Sequence, residues 1–140
     1  MINKYEITDE VHPKNSNLRR IRALRDIPRY QVHAGDLGGY IESEKNLDQE
    51  GDCWVFNNAS VYEDARVFGY AWVYGNAQVF GYARVFRNAR VYDDARVSDD
   101  ARVSGNAEVS GNARVFGNTR VFGNAEVSGN TTVSGNAQVS

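Results

Sequence analysis

Valine recurs at every sixth position over most of this chain. The run begins at Val55 and continues without a break to Val139. From Val61 onward the residue two places before each valine is alanine, except where Thr119 and Thr131 replace it. A Gly-Asn, Asp-Asp or similar pair usually stands two and three places after the valine. The chain therefore repeats the unit Ala-x-Val-x-Gly-Asn.

This unit predicts short extended edges joined by tight corners. In an extended segment side chains alternate between two faces, so alanine and valine share one face and the two variable residues share the other. Gly, Asn and Asp tolerate positive φ, so the pair marks a corner. An α-helix is excluded, because a period of six does not keep one apolar stripe at 3.6 residues per turn.

Three edges and three corners close one triangular coil of eighteen residues. We predict an all-β fold, a single-stranded parallel β-helix whose coils stack ~4.8 Å apart. Val55 to Val139 then make between four and five coils, a rod roughly 20–25 Å long. Before the regular run, Ile41 and Leu47 are six places apart. The first coil is therefore expected to start at Tyr40, with a two-residue bulge near Gly51.

The first 34 residues lie outside the repeat and allow two interpretations. Leu18, Ile21, Leu24 and Ile27 fit the spacing of a helix, whereas Ile21 and Ala23 also fit one face of a strand. An open coil end exposes unpaired backbone groups and needs a cover. We expect strands that cap the rod.

The repeat resembles the hexapeptide-repeat family of left-handed parallel β-helices, whose best-known members are acyltransferases. The resemblance covers about residues 40–140, and the left hand of the coil is carried over from it. Bactofilin-like polymer-forming proteins have a similar period with right-handed coils, so the residues alone leave the hand open. We predict a cap over residues 1–39 and a β-helix over residues 40–140.

The segment before the repeat resembles the entry segment of small, poorly characterised hexapeptide-repeat proteins of bacteria and their phages. The resemblance rests on three pieces of sequence: Gly35-Asp-Leu-Gly-Gly-Tyr-Ile41, Asn46-Leu47 and Gly51-Asp-Cys-Trp-Val55. It implies no known chemistry.

Composition restricts the possible environments and partners. The 16 basic and 18 acidic residues nearly cancel, so no global field attracts nucleic acid or a membrane surface. Cys53 is the only cysteine, which excludes an intrachain disulfide and favours a reducing compartment. No apolar run approaches the ~20 residues of a membrane span. We expect a cytoplasmic protein, in the host cytoplasm if it is phage-encoded, with no membrane partner.

The residues do not favour catalysis or cofactor binding. Resemblance to the acyltransferases implies a histidine base on a coil and an excursion loop, yet His12 and His33 both precede the coils and no loop interrupts them. One cysteine and two histidines lack ligand spacing for a metal. Asp93-Asp94 and Asp99-Asp100 are interpreted as corners. We expect no catalytic residue, metal or cofactor; an acyltransferase or sugar-nucleotide-binding relative is the alternative.

Residues eighteen apart stack in columns on the outside of the rod. One column holds four arginines and the neighbouring column holds phenylalanines, which together form the candidate binding residues: Arg66, Arg84, Arg102, Arg120, Phe68, Phe86 and Phe122. Arginine beside phenylalanine suits a phosphate backbone with stacked bases or an acidic protein surface. A solvated sheet face without a partner is the alternative.

Exposed aromatic residues suggest contacts beyond the coil itself. We expect Trp54 and Trp72 to pack under the cap. The candidate oligomer interface consists of four residues: Phe116, Phe122, Val133 and Val139. The last repeat carries no capping segment, so an uncovered coil end is expected to pair end-on with a second copy, giving a homo-oligomer, a dimer through the C-terminal coil. A shortened chain is the alternative.

These observations favour a non-catalytic β-helical scaffold that works by self-assembly and by binding a protein or nucleoprotein. The resemblance to phage proteins makes an inhibitor of a host defence system the biological setting that we expect.

Overall fold

A computed structural model describes residues 3–140, and almost all of its regular structure is β. The long strands are β1 (Tyr5–His12), β2 (Asn15–Ala23) and β3 (Leu37–Ile41). Two three-residue 3-10 turns occur, at Pro28–Tyr30 and Glu44–Asn46. Within residues 3–140 no helix has the length and apolar character that crossing a membrane demands.

The other fifteen strands are two residues long and recur every six positions. They are β4 (Trp54–Val55), β5 (Ser60–Val61), β6 (Arg66–Val67), β7 (Trp72–Val73), β8 (Gln78–Val79), β9 (Arg84–Val85), β10 (Arg90–Val91), β11 (Arg96–Val97), β12 (Arg102–Val103), β13 (Glu108–Val109), β14 (Arg114–Val115), β15 (Arg120–Val121), β16 (Glu126–Val127), β17 (Thr132–Val133) and β18 (Gln138–Val139).

Every third short strand joins the same parallel sheet, so the rod has three faces. The tryptophan face contains β4, β7, β10, β13 and β16, and the arginine face contains β6, β9, β12, β15 and β18. The hairpin face contains β5, β8, β11, β14 and β17, and it continues through β3 into β2 and β1. This confirms the predicted parallel β-helix with coils of eighteen residues.

The rod has about six turns. The fifteen short strands supply five of them, and β3 with Leu47 supplies one more ahead of Val55. Ile41 pairs with Val61, and Leu47 pairs with Val67, both in parallel register. The sequence estimate of four to five coils counted only the run from Val55 onward. The predicted earlier start of the first coil is confirmed.

Alanine and valine fill the lumen, as the alternation predicts. Val61, Val67, Val73 and their successors are almost completely buried as far as Val121, and the alanines beside them are buried too. Small and β-branched side chains suit this narrow, close-packed interior. Thr119 occupies an alanine position with its side chain buried and its hydroxyl without a hydrogen-bond partner.

Successive coils are joined by backbone hydrogen bonds between residues close to eighteen apart. The Phe56 N–H donates to the Val73 carbonyl at 2.8 Å, and the Ser60 N–H donates to the Ala77 carbonyl at 3.0 Å. Each corner also closes locally, as where the Ala59 N–H donates to the Phe56 carbonyl at 3.1 Å. The backbone pairing of a sheet thus runs up the rod, and corners limit each strand to two residues.

The corners have positive φ, as the Gly-Asn and Asp-Asp pairs predict. At four of the five corners in the regular repeats where the first residue is not glycine, an acidic or amide side chain accepts a hydrogen bond from the next coil; Arg87 is the exception. Asp93, at φ 59°, accepts a hydrogen bond from the Gly111 N–H at 3.1 Å, and Asp99, at φ 58°, accepts one from the Gly117 N–H at 3.0 Å. The aspartate pairs therefore act as corner residues that fasten one coil to the next.

The N-terminal segment forms strands, not the alternative helix. β1 and β2 pair in antiparallel fashion with Ile7 opposite Ile21, and β2 pairs antiparallel with β3. β3 then pairs in parallel with β5. The sheet thus changes from antiparallel to parallel at β3, and the predicted division between residues 39 and 40 falls inside this strand.

The hairpin and the loop after it cover the first coil. Tyr5 and Trp54 are both fully buried, with their ring centroids 6.3 Å apart in an edge-to-face arrangement. The Tyr5 hydroxyl donates to the Leu47 carbonyl at 2.6 Å. A Cβ added at Gly38 would lie 2.9 Å from the Trp54 ring, so only glycine allows this approach. The predicted capping strands are confirmed.

Candidate binding face

The arginine column stacks in register along one face. Arg66 pairs with Arg84, Arg84 with Arg102, and Arg102 with Arg120 across successive parallel strands. All four side chains are exposed. Strand spacing puts their Cα atoms ~4.8 Å apart. The sequence therefore placed the four arginines in one column correctly.

No acidic side chain neutralises these arginines directly. Among residues 3–140 the ion pairs within 4.0 Å involve Arg20, Arg22, Arg25, Arg29 and Lys45, and none of the column arginines. The side-chain hydrogen bonds of arginine in the same part of the chain belong to three residues of the cap, Arg20, Arg22 and Arg25. Four guanidinium groups on one face thus keep their donors available for a partner.

The column arginines also do not lie over their phenylalanine neighbours. Cation–π contacts in the described chain join Arg20 to Tyr40, Arg29 to Tyr70 and Arg90 to Trp72. The interpretation in which each arginine folds onto an aromatic ring of its own face does not describe this structure. The guanidinium groups and the rings are instead presented side by side.

The phenylalanines form a second column beside the arginines. The Phe68 and Phe86 rings stack with centroids 4.9 Å apart and planes inclined by 2°. Ser104 takes the next place in the column, and Phe122, which is 37% exposed, takes the one after it. An open groove of about 470 Å³ lies there, lined in part by Phe86, Ser104 and Phe122.

The sequence reasoning missed one residue of this groove, Arg87. Arg87 occupies a corner at φ 59°, where most coils have glycine, and it lines the groove together with Arg102 and Arg120. A cation at the first position of a corner occurs nowhere else in the regular repeats. Comparing the corners in columns, as was done for the faces, would have revealed it.

Acidic residues occupy the corner between the hairpin face and the arginine face. Asp64 pairs with Lys45 at 2.5 Å, and Asp99 accepts the Gly117 N–H. Glu63 accepts a hydrogen bond from the Gly81 N–H at 2.9 Å. These carboxylates are held by partners within the coil or the first turn, so they neutralise the arginine column only from a distance, through solvent.

The tryptophan face differs because the cap covers its first rungs. The Trp72 ring contacts Tyr30 edge-on at a centroid distance of 4.1 Å, and Arg90 lies 4.9 Å above it. Burial raises the pKa of Tyr30 to about 12. The prediction that Trp54 and Trp72 pack under the cap is confirmed.

The four residues of the candidate oligomer interface do not lie on one face. Phe116 follows β14 on the hairpin face, whereas Phe122 follows β15 on the arginine face. Val133 is buried in the lumen, and Val139 packs against the same core. The predicted dimer through the C-terminal coil stays a prediction.

Both histidines take part in contacts within the N-terminal segment. His12 accepts a hydrogen bond at Nδ1 from the Lys14 N–H at 3.0 Å, and its ring lies edge-on to Tyr40 at 4.6 Å. The His33 backbone N–H donates to Asp36 at 2.8 Å. Neither histidine lines the groove between Phe86 and Phe122.

Cys53 lies in the core beside the buried Lys4. The Lys4 ammonium donates to the Cys53 carbonyl at 2.7 Å and lies 3.2 Å from its Sγ. Burial raises the pKa of the Cys53 thiol and lowers the pKa of Lys4. A buried thiol with a raised pKa is unreactive at neutral pH, so this pair fixes the cap and offers no nucleophile. In residues 3–140 no cluster of three or more potential metal ligands occurs.

Comparison with known proteins agrees with this architecture. Residues 89–105 and 107–123 match the sequence profile of the YdcK beta solenoid repeat. These two stretches contain β10 to β15, which are regular rungs of the rod. The matches and the observed fold support a hexapeptide-repeat-like parallel β-helix. The expected family resemblance is confirmed.

A relative of this chain is known in Escherichia coli strain K12. Over 48 residues the two chains are 42% identical, and the relative is described as an uncharacterized acetyltransferase, YdcK. The matched region makes up 34% of this chain and 14% of the acetyltransferase. The likeness therefore concerns a short stretch of repeats within a much longer protein.

Proposed function

We propose that this hexapeptide-repeat protein is a non-catalytic β-helical scaffold that binds an acidic macromolecule, a protein or nucleoprotein, through the arginine face. The observation that carries this proposal is the column Arg66, Arg84, Arg102 and Arg120, exposed and without an ion pair among residues 3–140. Unpaired guanidinium groups at regular spacing favour multivalent contact with carboxylates or phosphates.

Heparin chromatography tests the proposal with a defined polyanion. The double variant Arg84→Glu/Arg102→Glu replaces the centre of the column, and it should elute at clearly lower salt than the unchanged protein because two attractive contacts become repulsive. The control is Arg96→Glu/Arg114→Glu, which replaces two exposed arginines of the hairpin face, outside the arginine column.

The control variant should shift elution less than the arginine-face variant, although both change the net charge equally. Equal shifts in elution would show that heparin binding depends only on the net charge of the protein, and would contradict a specific role of the arginine face. Melting curves of both variants check that the coils are intact, since all four positions are exposed.

Self-association is the second part of the proposed function. Phe116, which is half-buried, and Phe122, which is exposed, lie away from the cap, and accessible aromatic side chains favour contact between copies. Light scattering over a range of concentrations should show a mass above that of the monomer. A mass that stays monomeric at every concentration would remove self-association from the proposal.

The biological setting that we propose follows from the resemblance to phage proteins. A compact rod with an anionic-partner face suits inhibition of a host nucleoprotein or defence enzyme. Co-expression with such a defence system should restore phage growth, and the Arg84→Glu/Arg102→Glu variant should not.

An acetyltransferase-related function is the second candidate, because the E. coli relative is described as an uncharacterized acetyltransferase. It predicts that acetyl-CoA raises the melting temperature of the protein, because a ligand that binds only the folded state stabilises it. No shift at saturating acetyl-CoA would argue against this candidate and leave the scaffold proposal in place.

A further inference from the structure

The phenylalanine column on the arginine face has one gap, at Ser104. Phe68 and Phe86 stack at 4.9 Å with parallel planes, which sets the spacing of the column. Phe86 and Phe122 are two coils apart, so their rings are separated by roughly twice the ~4.8 Å strand spacing. A space of that width between two aromatic walls accepts one further flat ring, stacked on both sides.

The gap is open to solvent and has a small floor. Ser104, Gly105 and Gly123 line the groove of about 470 Å³ between the two phenylalanines. None of these three residues projects a bulky side chain that would fill the space. A ring that enters from outside therefore meets no large side chain at the floor of the groove.

The charge around the gap is positive. Arg87, Arg102 and Arg120 line the groove, and no acidic residue does. Uncharged residues, among them Gln138, line the rest of the groove. A ligand that combines a flat ring with an adjacent anionic group matches both features at once.

A second gap, at Ser98 on the hairpin face, has the same shape as the Ser104 gap but different charged neighbours, so it can serve as a control. On the hairpin face Ser98 interrupts the column between Phe80 and Phe116, and the stack before it, Tyr62 on Phe80, has a centroid distance of 5.1 Å. This gap has the same coil spacing, but Asp99 follows Ser98 directly and is exposed. Arg96 and Arg114 flank the Ser98 gap as Arg102 and Arg120 flank the Ser104 gap. The two gaps thus share the stacking geometry and differ at the corners, which carry Gly81 and Asp99 beside one gap and Arg87 and Gly105 beside the other.

We propose that the Ser104 gap receives one base of a single-stranded nucleic acid, stacked between Phe86 and Phe122, while Arg102, Arg120 and Arg87 hold the adjoining phosphates. The inference rests on the proposed function, because it names the partner of the arginine face. Base stacking on aromatic side chains beside a basic groove is the usual mode of sequence-tolerant single-strand binding.

The arginine column extends beyond the gap and favours a strand over a single nucleotide. Arg66 and Arg84 continue the column by two rungs from Arg102, so cationic groups cover a length that one phosphate does not need. An aromatic side chain of a partner protein would supply the ring without a phosphate beside it. The observations therefore favour single-stranded nucleic acid.

Fluorescence anisotropy with a labelled oligodeoxythymidine tests the inference on the full chain. Ser104→Phe fills the gap with the residue that the column carries at Phe68, Phe86 and Phe122, so the coil is expected to fold. It should weaken binding of the oligonucleotide about tenfold, the effect of losing one stacked base. Ser98→Phe, the matched control, fills the other gap and should leave the affinity unchanged.

An abasic strand of the same length supplies the phosphates without the bases. The unchanged protein should bind it about tenfold more weakly than the oligodeoxythymidine, and Ser104→Phe should not weaken abasic binding further. Phe122→Ala, which removes one wall of the gap, provides a second variant and should weaken oligonucleotide binding in the same direction.

Equal affinity of Ser104→Phe and the unchanged protein, or equal affinity for the two strands, would overturn the inference. So would the absence of any oligonucleotide binding by the unchanged protein. In each of these cases the heparin experiment still decides the proposed function separately, because heparin has no base to enter the gap and reports only on the arginine column.

Discussion

The tryptophan face and the arginine face are built from the same repeat on the same coils, but their outward side chains differ in burial and in pairing. On the tryptophan face Trp54 is fully buried against Tyr5, and the Tyr92 hydroxyl donates to Glu108 at 2.8 Å. On the arginine face the cationic column has no ion pair within residues 3–140. Outward side chains of the tryptophan face near the cap thus find partners inside the molecule, whereas the arginines of the other face remain available.

This difference shows how a repeat protein divides stability and binding between its faces. The lumen of alanine and valine is common to all three faces, so it stabilises the rod without selecting a face. Only the outward positions differ. We therefore expect substitutions on the covered face to change folding, and substitutions on the open face to change binding.

The largest effect should come from Trp54→Ala. Trp54 is fully buried beneath the cap, so its removal leaves a cavity and is expected to lower the free energy of unfolding by about 3–5 kcal/mol. The matched change on the open face, Phe122→Ala, should stay within about 0.5 kcal/mol, because Phe122 is 37% exposed. Urea unfolding measures both. Similar losses in the two variants would remove the contrast between the faces.

A smaller difference in stability is expected between alanine variants of two glycines that border the arginine face. Gly105 and Gly123 both have positive φ, 67° and 63°, so alanine is strained at either position by about 1 kcal/mol. A Cβ at Gly105 would also lie 2.9 Å from the Gly123 nitrogen, whereas at Gly123 the nearest atom, the Ser140 Cβ, is 4.0 Å away. Gly105→Ala should therefore be the more destabilising by about 1–2 kcal/mol.

Thermal unfolding of the two glycine variants measures this difference. If Gly123→Ala were the less stable of the pair, crowding between successive coils would not control the corners.

The smallest effect concerns Tyr30, which links the cap to the tryptophan face. Its hydroxyl donates to the Tyr70 carbonyl, so Tyr30→Phe should cost about 1 kcal/mol at neutral pH. Burial raises the pKa of Tyr30 to about 12 from an ordinary value near 10. A group whose pKa is raised by folding contributes stability that is complete below its unfolded pKa and is lost as pH rises through its folded pKa.

The unchanged protein should therefore lose stability between about pH 10 and pH 12. Tyr30→Phe should show a flatter dependence over this window, measured as the unfolding midpoint in urea at several pH values. Tyr82→Phe is the control, since Tyr82 is 64% exposed. An identical alkaline slope in Tyr30→Phe and in the unchanged protein would contradict the buried position of the Tyr30 hydroxyl.

The prediction from sequence was most accurate where contacts follow the repeat. Once the period of eighteen was known, the register followed, and each of the columns headed by Trp54, Ser60 and Arg66 is paired as expected. The interpretation of Asp93-Asp94 and Asp99-Asp100 as corners was also correct. The hydrogen bonds that Asp93 and Asp99 accept from glycine N–H groups of the next coil were not predicted, because they depend on the distance between corners.

Prediction was weaker where contacts leave the repeat. Ile21 and Ala23 correctly indicated a strand, but the helix spacing of the same segment remained an alternative on sequence alone, and the pairing of β2 with β3 excludes it. Arg87 was missed because its corner position gave no reason to compare it with Arg102 on the neighbouring edge. The handedness of the coils and the oligomeric state stay predictions.

The sequence by itself determined the lumen, the corners and the alignment of the columns, because each of these depends on a residue and its equivalent eighteen places away. Only the tertiary structure decided which face is covered and which stays open. That outcome depends on how a non-repeating segment folds back over the first coils, bringing Tyr5 to Trp54 and Tyr30 to Trp72. Contacts of this kind join residues whose separation follows no period, so no pattern along the chain encodes them.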